Sequence, residues 1–170
     1  MSEDRVDRIV EQWRHERPDV DVSGMAIIGR ISRLERLLRD RLDEVFATHD
    51  LESWEFDVLA TLRRSGPPYQ LSAGGLLESM MISSGTVTHR LDRLERRGLL
   101  AREKDPTDGR VVLATLTEDG RRRIDAALED HAANQIRLLA DLTANQRGEL
   151  ADLLRHLHLS LDAEPADLDR

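Results

Sequence analysis

The sequence contains no cysteine, which removes disulfides, thiolate metal sites and thiol-based redox sensing together. It lacks any apolar run approaching a membrane span, and its first residues are charged where a secretory signal would carry an apolar segment, so no export is expected. A glycine-rich phosphate loop, a nucleophile elbow and a histidine pair at i, i+4 are missing too; His156 and His158 stand two apart and diverge on a helix. These absences leave no catalytic residues, no metal ligands and no cofactor motif, and the expected class is not an enzyme. Net basicity is also absent, the formal net charge being −8. Its distribution changes the reading: residues 83–123 carry ten Lys or Arg against seven Asp or Glu, a local +3, whereas residues 1–82 carry −5 and residues 124–170 carry −6. Positive charge is concentrated on one segment, and the acidic flanks repel a polyanion from other surfaces.

That segment belongs to a longer pattern over residues 71–117. Ser72 and Ser83 each precede a helical stretch and suit N-caps, and Gly98 stands where a helix ends in a left-handed residue. Between them Val87, Leu91 and Leu94 recur at i, i+4, i+7, one apolar stripe on a helix from about 84 to 97. At 100° per residue the opposite side carries Gly85, Thr86, His89, Arg93 and Arg96. Hydroxyls at the helix start, with cations further along, suit a helix whose N-terminal end enters a major groove. Residues 99–104 and 111–116 are rich in branched side chains and flank Asp105-Pro106-Thr107-Asp108-Gly109-Arg110, a strong turn signal. An arginine at such a hairpin end reaches a minor groove or a phosphate, and Asp108 is close enough to orient Arg110.

The run S-S-G-T-V-T-H-R-L-D-R-L-E-R-R-G-L, then D-P-T-D-G-R, then L-T-E-D-G, resembles the MarR family of dimeric bacterial transcriptional regulators. The Asp-x-Arg wing, here Asp108 and Arg110, is that family's signature. Helical patterns on both sides extend the resemblance over nearly the whole chain. It implies a mainly α fold with a small β-hairpin wing, a winged helix-turn-helix in one domain over 1–170, dimeric through interleaved terminal helices. The wing and reading helices fall within 51–117, dimerisation helices within 25–49 and 118–162, and an extra N-terminal helix within 1–18. Implied DNA contacts come from Ser83, Ser84, Thr86, Thr88, His89, Arg93, Lys104, Asp108 and Arg110, on a pseudo-palindromic duplex in a bacterial cytoplasm.

Periodicity supports the flanking helices independently. Residues 2–16 are amphipathic, with Ser2 placed to cap and Val6, Ile9, Val10 and Trp13 as one stripe. Ile27, Ile31, Leu34, Leu38, Leu42 and Val45 form a core or dimer stripe ending near His49. Residues 51–64 carry apolar groups on more than one side, as a well-covered central helix does. Thr117 opens a helix with Ile124, Ala127, Leu128, His131, Leu138 and Leu142 in line, and Thr143 to Gln146 is a capping box before a final leucine stripe.

The N-terminal extension with its tryptophan, together with E-F-D-V-L-A-T-L-R-R-S-G-P-P-Y, resembles the urate-responsive branch of the family. That resemblance implies a ligand pocket of Trp13, Asp57, Arg90 and Arg102. Chemically, two guanidiniums can hold a planar anion by bidentate bonds, an indole can stack on it, and a carboxylate can accept from its N–H groups. Arg90 falls about 70° from the apolar stripe, away from the DNA-facing side. The set suits urate or another compact anion such as a small carboxylate. Two alternatives remain open: Asp57 paired with an arginine as an internal salt bridge in a regulator without this pocket, and a winged-helix protein-interaction module without sequence-specific DNA binding.

Overall fold

In a computed structural model, residues 3–80 and 84–163 are described, with the side chains of 84–86 excepted. Residues Met1–Leu128 and Glu129–Arg170 form two compact units. Among the described residues no helix is long and apolar enough to cross a membrane.

The first unit opens with α1 (Arg5–Glu16) and α2 (Met25–Thr48). The cap of α1 is Asp4, not Ser2, which lies outside the described residues: the Asp4 carboxylate accepts from the backbone N–H groups of Val6 and Asp7 at 2.6 and 3.0 Å. A carboxylate satisfies two orphan donors there and also suits the positive end of the helix. Val6 and Val10 are buried against Val22, with Ala26 packed alongside. Gly29 makes room for that approach, since a Cβ there would stand 3.2 Å from a Val6 methyl. Arg30 holds the junction from α2, donating to Asp4 at 2.9 Å, to Asp7 at 2.6 Å and to the Ala26 carbonyl at 2.8 Å. The stripe expected to include Ile9 and Trp13 is narrower than its periodicity suggests, because both remain exposed.

The core gathers around α3 (Ser53–Arg64), α4 (Ala73–Met80) and α5 (Ser84–Arg96). Leu59, Leu62, Leu76 and Leu94 lose all solvent contact, and Phe46 of α2 stacks on Phe56 at 4.4 Å between centroids. Each such leucine contributes about 2 kcal/mol of apolar burial. As expected for a central helix, α3 buries Phe56, Val58, Leu59 and Leu62. Ser72 caps α4, its hydroxyl accepting from the Gly75 N–H at 3.0 Å. Ser83 lies outside the described residues. Gly98 ends the α5 region at φ +70°, the left-handed geometry that glycine adopts without penalty.

The wing consists of β2 (Leu100–Lys104) and β3 (Val112–Leu116), and the sequence reading missed a third strand, β1 (Gln70–Ser72). The order is β1-β3-β2, antiparallel throughout, with Leu71 opposite Ala114 and Arg102 opposite the same residue from the other side. β3 therefore has no free edge, and the wing is tied to the chain just ahead of α4. Next comes α6 (Glu118–Leu138), opened by Thr117, whose hydroxyl accepts from the Gly120 N–H at 3.0 Å and donates to the Gly98 carbonyl at 2.7 Å. Ile124 and Ala127 of α6 close the core from that side.

In the second unit, α7 (Ala144–Asp162) starts at the expected capping box: the Gln146 side chain accepts from the Thr143 N–H at 2.9 Å, and the Thr143 hydroxyl accepts from the Gln146 N–H at 3.3 Å. Leu153, Leu159 and Leu161 on α7 are well exposed.

Candidate nucleic-acid interface and ligand cleft

Helix α5 is anchored by Val87, Leu91 and Leu94, at 3%, 3% and 0% exposure, so the face opposite must look outward. His89 is exposed there, and Thr88 is exposed on its flank. The contacts expected of Ser83, and of the Ser84 and Thr86 side chains, fall outside what the structure describes.

The wing tip is organised by two aspartates. Asp105 accepts from the Thr107 N–H, the Thr107 hydroxyl and the Asp108 N–H at 2.7, 2.6 and 3.2 Å, which folds the turn. Asp108 then accepts from the Arg110 backbone and Nε at 3.1 Å each and from Nη2 at 3.3 Å. That guanidinium holds the Asp108 carboxyl below its ordinary range, so Asp108 stays ionised near neutrality. The Arg110 side chain is 91% exposed, a cation oriented by Asp108 along one edge of its guanidinium and otherwise open to solvent. Lys104 is exposed at the end of β2.

Arg93, expected among the DNA contacts, is paired within the chain. It hydrogen-bonds Glu52 at the N-terminus of α3, and its guanidinium carbon lies 5.2 Å from the centre of the Trp54 ring. Arg97 bonds the fully buried Glu55 and reaches the Asp50 carbonyl and carboxylate at 2.6 Å each. A buried glutamate gave no sign of itself in the sequence, because its counter-charge is 42 residues away.

A cleft of about 400 Å³ is lined by Asp57, Ala60, Thr61, Arg64, Ser79, Met80 and Arg90. It brings together two of the four expected pocket residues, Asp57 and Arg90. Arg102 stands outside it: its guanidinium is clasped by Glu95 at 2.9 and 2.6 Å and by Asp92 at 2.7 Å, both carboxylates from α5. Arg102 in turn holds the Glu95 carboxyl below its usual value. Trp13 also stands apart, 46% exposed beside another open groove along α1. The indole near Arg90 is Trp54, 5.5 Å from the Arg90 guanidinium carbon to ring centre. The second cation of the cleft is Arg64, which donates to the Ser79 carbonyl at 3.0 Å and to the Thr61 hydroxyl at 3.3 Å. Arg64 was legible in principle, since Asp57, Thr61 and Arg64 follow i, i+4, i+7 on α3.

Residues 51–112, from just ahead of α3 to the first residue of β3, match the sequence model of the MarR family. Over 149 residues the chain is 42% identical to the HTH-type transcriptional regulator PecS of Dickeya dadantii, covering 88% of this chain and 90% of that one. The fold is similar to that of a mutant of MarR from E. coli in complex with operator DNA, with a TM-score of 0.70 and 25% identity over 81% of this chain and 99% of that one. It is similar also to BpsR of Bordetella bronchiseptica, solved to explain regulation of its DNA binding by 6-hydroxynicotinic acid, with a TM-score of 0.69 and 26% identity over 78% and 92% of the two chains.

Proposed function

The chain belongs to the MarR family of DNA-binding transcriptional regulators, and from that premise we propose that it is a homodimeric repressor released from its operator by a compact anion. The observation that carries the proposal is Arg90: it lines the Asp57 cleft from the same helix that presents Thr88 and His89 outward. An anion that draws on Arg90 acts directly on α5. The coupling needed is modest, about 1 to 3 kcal/mol between two such sites.

Support for the ligand class is the charge pattern of the cleft, where two guanidiniums can bind a planar anion and Asp57 can accept from its N–H groups. Urate and small carboxylates both fit that description, and BpsR responds to 6-hydroxynicotinic acid. Support for the dimer is the apolar surface that α2 leaves in water, with Ile27, Leu34 and Leu37 all more than half exposed. Two reading helices related by a two-fold axis meet half-sites about one helical turn apart on a pseudo-palindrome.

The test is a mobility shift on the DNA upstream of the protein's own gene, with urate and a panel of small carboxylates. Specific binding relieved by one anion is expected, and Asp57→Asn should keep fold and DNA binding while losing that relief. Indifference to every anion would remove the ligand from the proposal; absence of specific binding would favour the protein-interaction reading. Arg110→Ala should weaken binding and make the plot of log affinity against log salt shallower by about 1.8, the value of two lost phosphate contacts, one from each subunit of the dimer. An unchanged slope and affinity would refute that role for Arg110.

A further inference from the structure

Arg93 shares a helical face with His89 and Arg96, yet its guanidinium is taken up by a surface partner in its own chain. Glu52 accepts from it, and the other oxygen of Glu52 accepts from the Trp54 indole N–H at 2.6 Å. Trp54 lies beneath the same guanidinium, so ring and carboxylate hold Arg93 from two sides. The nearest oxygen of Glu55 is 3.9 Å from Arg93 Nε, beyond hydrogen-bond reach, which leaves Glu52 as the carboxylate that bonds it. Glu52 is half exposed at the surface, with 51% of its side chain open and 41% of that of Arg93. The Trp54 indole first, and then Arg93, keep the Glu52 carboxyl below its ordinary range, so it carries its charge near neutrality.

We propose that Glu52 is an internal stand-in for a DNA phosphate: it occupies Arg93 in the free protein, and operator binding must break this pair before Arg93 can reach the duplex. The geometry fits a carboxylate oxygen taking the place of a phosphate oxygen on one guanidinium, both being anionic acceptors that match its fork. Glu52 thereby sets operator affinity without touching DNA. The inference rests on the reading of Arg93 as a DNA contact.

The experiment is a double-mutant cycle on operator affinity with the full chain. Glu52→Gln keeps the size of the side chain and an acceptor for the Trp54 N–H, and circular dichroism verifies that helix content is unchanged. Glu52→Gln is expected to bind about two- to fivefold more tightly per subunit, the range for one exposed ion pair, and Arg93→Ala to bind more weakly. In the Arg93→Ala background, Glu52→Gln should have no further effect. A tightening that persists without Arg93 would show general relief of negative charge and overturn the proposal. If Arg93→Ala weakens binding while Glu52→Gln leaves it unchanged or weakens it, Arg93 meets DNA without competition and the proposal fails alone. If Arg93→Ala changes nothing, the reading of Arg93 fails and the proposal with it.

Discussion

Gly120→Ala is expected to lower stability by about 3 kcal/mol or more, because the added methyl would lie where a backbone already is. An ideal Cβ at Gly120 stands 1.9 Å from the Leu99 carbonyl oxygen and 2.9 Å from its carbon. Both are main-chain atoms and cannot turn aside as a side-chain tip would. The same carbonyl accepts from the Thr117 N–H at 3.2 Å, and Thr117 bonds Gly98 and Gly120 in turn. The first turn of α6 is thus pressed against the junction between α5 and β2. The corresponding loss in melting temperature is roughly 6 to 12 °C for a chain of this size. Gly148→Ala is the matched control: it sits within α7 with nothing inside 4 Å, so the alanine should be neutral or stabilising by up to about 1 kcal/mol. Equal melting temperatures for the two variants would show that the close approach at Gly120 does not exist in solution.

Arg97→Met should cost about 3 to 5 kcal/mol, the usual penalty for removing one partner of a buried ion pair. Glu55 has no exposed surface, and Arg97 is the guanidinium that bonds it. The Glu52 N–H donates to the same carboxylate at 3.0 Å, which satisfies one oxygen but does not neutralise it. Arg97 also spans to Asp50 in the link between α2 and α3, so its loss loosens the end of the α5 region from that link. Adding Glu55→Gln to Arg97→Met should recover part of the loss, since the amide needs no counter-charge. Chemical denaturation of the two single variants and the double variant measures this. A loss below about 1 kcal/mol for Arg97→Met would mean that water, not Arg97, stabilises the glutamate.

The parts of this fold visible from sequence are those specified locally. Val87, Leu91 and Leu94 declare a helix face by spacing, Thr143 and Gln146 declare a helix start by reciprocal side-chain bonds, and the Asp105 to Arg110 run declares a turn by its residue types. β1 was hidden because it is only Gln70–Ser72, too short for an alternating pattern, and exists through its pairing with β3 more than 40 residues later. The burial of Glu55 was hidden for the same reason, whereas the clasp on Arg102 is short in sequence and was hidden because it crosses the turn from α5 into β2. Of the residues lining the cleft, Asp57 and Arg90 follow from the family resemblance, whereas Arg64 follows from helical spacing that only the placed cleft makes meaningful. Trp13 has helical periodicity in common with Val6 and Val10 but not their burial, because the small cluster they pack into, Val22 with Ala26, covers only the two valines.

The clasp of Arg102 by Glu95 and Asp92 has a consequence for the shape of the response. It fastens the first wing strand to the reading helix through one guanidinium on two carboxylates, with the Arg102 N–H adding a bond to Glu95 at 3.1 Å. Any tilt of α5 then carries the wing with it as one lever. If the helix and the wing tip meet DNA as proposed, the two sets of contacts would be surrendered in the same movement rather than one after the other.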